Sequence, residues 1–194
     1  MLALHRRMSL EEYLDFTDGS EFRTELVDGE LREMGAESEL NVLIGSFLFT
    51  IFLQFVPYYC IRRGTEIVVP GRAADTRYPD LLILTEAGVL ALAGKKRSCI
   101  TVEMPAPAIV IEVVSPGKPG EENYDRDYVD KRFEYAVRGI LEYWIIDPQR
   151  DVVLVLRLKG DRYVETVFIE QAVIVSPTFP TLSITATEVL NAGR

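Results

Sequence analysis

Apolar and polar positions along the chain change period several times, and each change marks an element. Ser9 stands ahead of a short run with Glu11 and Glu12 in its first turn, which predicts a capped helix. Two strand-like runs, 22–27 and 30–34, flank Asp28-Gly29, a dipeptide that favours a tight hairpin turn. The segment 37–56 reads as a long apolar helix that Pro57 stops. Strands at 58–63 and 65–69 follow on either side of Gly64. Leu81-Leu82-Ile83-Leu84 is short, apolar and bounded by turn residues, as a buried strand is. Segment 86–95 fits a short helix and a loop.

The most strand-like stretch is 108–114, β-branched and apolar on both faces, which predicts a central strand. A crossover helix is expected over 126–137, with Gly139 at its C-cap. Strands at 142–147, 152–158 and 163–169 and a short helix at 185–190 complete the chain. This order predicts an α/β or α+β fold with a mixed central sheet flanked by helices. No repeat or long linker divides the 194 residues, so one domain is expected over 8–190.

Leu40 to Val56 is an uncharged stretch of 17 residues, short of the ~20 that a membrane span needs. Ser46, Thr50 and Gln54 recur every four residues and draw a thin polar stripe on it, so it reads as a buried core helix or a homodimer interface. Cys60 and Cys99 are far apart, and with one histidine they cannot form a typical structural zinc site. Free thiols point to a reducing, cytoplasmic setting. His5 sits near the N-terminus and carries no role, which removes Ser-His and Cys-His triads. There is no glycine-rich dinucleotide fingerprint and no P-loop.

Net charge adds a tension. The formal value is −9, whereas phosphate affinity normally comes from Lys and Arg. A local basic surface (Arg62, Arg63, Arg72, Arg77, Lys95, Lys96, Arg97) is the expected compensation.

Glu112 is the sharpest anomaly, an acid inside the most apolar strand. A carboxylate there needs a cation, because unpaired burial is costly. Asp80 opens the Leu81 to Leu84 strand; if the two strands are neighbours, both acids converge at one edge of the sheet. Such a pair with waters makes a hard-oxygen site suited to magnesium or manganese. Lys131 shares a helix face with Asp127, Glu134 or Tyr135, and Arg138, and could reach the same point. Read singly, Asp80 also fits a turn cap, Glu112 a structural ion pair and Lys131 a solvated helix position. Tyr143 and Trp144 read as packing residues.

In order, ELVDGEL, a long helix, YPDLLIL, PAIVIEVVSP and DRDYVDKRFEYAVRGILEYWIIDP resemble the Uma-two family, over about residues 8–190. The resemblance implies a restriction-endonuclease-like fold and the PD-(D/E)XK signature. Pro79-Asp80 matches the PD and Glu112 the (D/E). Val114 stands where the signature has its lysine, and Lys131 in the following helix is the counterpart. Glu25 matches a further site acid ahead of the long helix, implied to complete the metal's shell or hold one of its waters. Where many members carry a histidine, this chain reads Glu39-Leu40-Asn41. The implied activity is hydrolysis of DNA phosphodiester bonds, with Mg²⁺ or Mn²⁺ held by Asp80, Glu112 and the Val113 carbonyl. The competing expectation is a non-catalytic, homodimeric binding or regulatory protein on the same fold.

Overall fold

A computed structural model of the protein describes residues 7–16, 23–71 and 75–192; the calls on His5 and Arg72 lie outside them. Helix α1 (Leu10–Asp15) starts as expected at Ser9, whose hydroxyl accepts the Glu12 amide while the Glu12 carboxylate accepts the Ser9 amide. Strands β1 (Thr24–Val27) and β2 (Glu30–Glu33) form the hairpin. Both turn residues, Asp28 and Gly29, have positive φ, the backbone that an Asp-Gly turn supplies.

Helix α2 (Glu39–Phe52) is capped by Ser38 and is shorter than the apolar segment suggests, since the chain turns before Pro57. Its buried Ile44, Leu48 and Phe52 join the core within this chain. No helix among the described residues is long and apolar enough to cross a membrane.

The expected strand at 58–63 is mostly a 3₁₀ turn (Tyr58–Cys60), followed by the two-residue β3 (Ile61–Arg62). Strand β4 (Glu66–Val68) does not join the main sheet. It pairs with β5 (Thr76–Arg77) and, in parallel, with β7 (Cys99–Ile100) in a separate three-stranded sheet. Between them lie β6 (Leu81–Ile83) and α3 (Glu86–Leu92).

Strand β8 (Ile109–Val113) is central, antiparallel to β6 and parallel to β9 (Glu142–Asp147). With β10 (Val152–Lys159) and β11 (Arg162–Ile169) the six-stranded order is β11-β10-β9-β8-β6-β3, a mixed sheet. The parallel pair needs a crossover, and the chain supplies it as α4 (Glu122–Asp125), a π turn (Arg126–Asp130) and α5 (Lys131–Val137). This begins earlier than the helix read from the sequence, and Gly139 ends it with positive φ. Helix α6 (Ala186–Leu190) and α2 pack together on one face of the sheet, and α5 covers the other.

Candidate active site

Register brings the two strand acids together. Leu81 pairs with Ile111, so one step further Asp80 stands opposite Glu112. Alternation along each strand puts both on the same face as Leu82 and Val110, the face that α5 covers. Asp80 Oδ2 accepts the Val113 amide at 2.6 Å, which fixes the carboxylate at the strand end. From α5, Lys131 Nζ lies 2.8 Å from Glu112 Oε2, and the Tyr135 hydroxyl donates to Glu112 Oε1 at 2.8 Å. The three expected residues therefore share one cleft of about 610 Å³, also lined by the β1–β2 hairpin and the segment 122–131.

Glu25 and the Val113 carbonyl line the same cleft but are already engaged. Glu25 accepts the Tyr78 amide at 2.9 Å and lies 3.2 Å from Arg77 Nη1. Arg77 also forks onto Glu134, at 2.7 and 3.1 Å. The Val113 carbonyl accepts Asn41 Nδ2 at 3.1 Å. Asn41 therefore reaches the site from the start of α2.

Asp127 was seen in the sequence only as a neighbour of Lys131 on its helix face. It is buried, and its Oδ1 lies 2.8 Å from Lys131 Nζ and 3.4 Å from Arg126 Nε. Of the other residues on that face, Tyr135 joins the site, while Arg138 turns away to the Thr101 and Met104 carbonyls. The four-residue spacing of Asp127 and Lys131 was the available signal; the partner it implied depended on α5 docking over β8.

The charges do not balance. Asp80, Glu112, Asp127, Glu25 and Glu134 gather around Lys131, Arg126 and Arg77. Burial pushes Glu112 up to about 8; Lys131 opposes the rise, and the charges of Asp80 and Asp127 add to it. Burial likewise lifts Asp80 to about 6 against the pull of Lys131 and the Val113 amide. Asp127 goes the other way: burial would raise it, but Lys131 and Arg126 hold it below its ordinary value. Burial alone would discharge Lys131, yet Asp127 and Glu112 keep it well above the usual ammonium range.

Three arginines of the expected basic surface are spent on partners within the fold. Arg77 is buried between two glutamates, and Arg97 is spent on Glu66 and on the Tyr13 and Phe16 carbonyls. Arg63 donates to the Asp80 carbonyl and to Glu37, its guanidinium so close to α2 that a Cβ on Gly45 would lie 3.2 Å from it. Buried carboxylates claim Arg77 and Arg97 because each needs a counter-charge. Lys95 and Lys96 remain exposed.

The donor chemistry fits a hard divalent cation. Among the described residues no three His, Cys, Asp or Glu side chains cluster as a metal cage. Asp80, Glu112 and the Val113 carbonyl are oxygen donors of the kind that would suit magnesium, with water filling the remaining positions. Each Glu112 oxygen accepts one hydrogen bond or ion-pair contact and retains a lone pair.

Comparison with known proteins agrees with this architecture. The model of the Uma2 family, described as "putative restriction endonuclease", matches residues 10–187. The fold is similar to that of a "putative nuclease belonging to DUF820" from Anabaena variabilis ATCC 29413, with a TM-score of 0.72 and 18% identity over 96% of this chain and 99% of that one. No curated protein sequence matches.

Proposed function

This chain belongs to the Uma2 family, and on that premise we propose that it is a divalent-metal-dependent endonuclease that hydrolyses DNA phosphodiester bonds in the Asp80–Glu112–Lys131 cleft. One observation carries the reading: acids from two adjacent strands meet a buried lysine where negative charge is in excess. Such an excess in a desolvated place calls for a proton or a cation.

Asp80 and Glu112 would hold Mg²⁺ or Mn²⁺, with the Val113 carbonyl as a third oxygen. When bound, the ion supplies Lewis-acid activation of water and screening of the phosphate. Lys131 orients the attacking water or offsets charge on the scissile phosphate as a point charge. Glu25, paired with Arg77 in the cleft wall, would complete the metal's shell or hold one of its waters.

The test incubates purified protein with supercoiled plasmid and with single-stranded DNA, at low salt with Mg²⁺ or Mn²⁺, beside Asp80→Ala and Glu112→Ala. Metal-dependent nicking by the wild type that disappears in both variants is the expected result. No nicking, or nicking that both variants retain, would abandon this reading for a non-catalytic binding protein acting as a homodimer.

A further inference from the structure

Lys131 is a shared residue. Its ammonium lies 2.8 Å from Glu112 and 2.8 Å from Asp127, and all three side chains are at most 4% exposed. One carboxylate suffices to neutralise a buried ammonium. A second at equal distance brings a charge that must itself be stabilised, and the fold provides for it. Arg126 approaches the same Asp127 oxygen at 3.4 Å, and the Tyr143 hydroxyl holds the residue's backbone in place by donating to the Asp127 main-chain carbonyl at 2.9 Å. The backbone is adapted too. Arg126–Asp130 is a π turn in which the Lys131 amide donates to the Arg126 carbonyl. Such turns are rare and concentrate at functional sites. Meanwhile the other Glu112 oxygen is fixed by Tyr135, so Glu112 stays in place whatever Lys131 does.

We propose that Asp127 is a positioning residue: it gives Lys131 a second seat, so that the ammonium serves as resident counter-ion to Glu112 and retires toward Asp127 when a divalent cation takes up Glu112. No bond is made or broken; a positive charge shifts between two carboxylates that it already touches. Without Asp127, Lys131 would belong to Glu112 alone and would compete with the cation for it. This rests on the metal reading above.

The proposal predicts opposite effects from two neighbours. Mn²⁺ affinity is measured by isothermal titration calorimetry for the wild type, Asp127→Asn, Asp127→Glu and Lys131→Met, with circular dichroism confirming that each is folded. Asp127→Asn should weaken binding about 10- to 100-fold, the range for groups that support metal ligands indirectly. Asp127→Glu, which keeps the charge, should recover part of that loss. Lys131→Met should bind more tightly than the wild type, because Glu112 loses its competitor. Unchanged affinity in Asp127→Asn, or equal or weaker binding by Lys131→Met, overturns the inference while leaving the metal reading intact. If Asp127→Asn does not fold, Asp127→Ser takes its place with the same expected loss and the same overturning result. Absence of binding by both the wild type and Lys131→Met sinks the metal reading and this inference with it.

Discussion

The two faces of the central sheet come from the same strands and bury different chemistry. On one face, Ile109, Ile111 and Val113 of β8 meet Ile44, Leu48 and Phe52 of α2, with Trp144 edge-on to Phe52 at 5.9 Å between centroids. On the other, Val110 of β8 and Val114 just beyond it flank Glu112, and the covering helix contributes Lys131, Glu134 and Tyr135. The apolar face gains free energy in proportion to area and tolerates imperfect direction. The polar face holds only if each buried charge finds its partner, and such pairs add little net stability over an apolar replacement. The comparison assigns stability to the α2 face and chemistry to the α5 face.

The hardest test removes a cation from the polar side. Arg77→Ala leaves Glu25 and Glu134 buried without their guanidinium and should cost about 3–5 kcal/mol in urea unfolding. A loss below 1 kcal/mol would mean that water reaches this cluster and that the face is less closed than its burial indicates.

Next comes the apolar side. Leu48→Ala should cost about 2–5 kcal/mol through lost transfer energy and the cavity left behind. Its Mn²⁺ affinity at a temperature where the protein stays folded should equal that of the wild type. A change would show that the two faces are coupled.

Glu112→Gln sharpens the contrast from the other direction. It keeps the shape and the neutral form that burial favours for this acid, and should alter stability by no more than about 1 kcal/mol while abolishing metal-dependent cleavage. A large loss of stability would make Glu112 a structural ion-pair partner first.

The same residue gives the metal-free protein a pH dependence. With Glu112 held at about 8 in the native state and near 4.5 when unfolded, the native state keeps a proton that the unfolded chain releases across that window. The contribution of this group is therefore full below about pH 4.5 and fades as pH rises through about 8. Melting temperatures taken from pH 5 to 8 should fall more steeply for the wild type than for Glu112→Gln; parallel curves would remove Glu112 as the cause.

Much of this was readable in the chain itself, and where reading failed the reason is physical. The Asp-Gly turn, the Ser9 cap and the β-branched central strand are local signals, carried by residues that are neighbours in sequence. Glu112 announced itself because an acid in an apolar strand contradicts its surroundings. The three-stranded sheet did not, since β5 and β7 have two residues each and no period can be read from two positions. The basic surface was misjudged because an arginine looks the same in sequence whether it faces solvent or lies, like Arg77, against a glutamate 57 residues away.

Most element types, the turn chemistry and the choice of Asp80, Glu112 and Lys131 as the residues to watch were legible in the chain alone, because propensity, period and polarity act over a few residues. Only the tertiary structure decided which cation each acid keeps. The β6–β8 register set Asp80 opposite Glu112, and the docking of α5 over β8 gave Lys131 two carboxylates instead of one. Ion pairing acts over a few ångströms of space and is indifferent to distance along the chain, so it becomes definite only when the chain is folded.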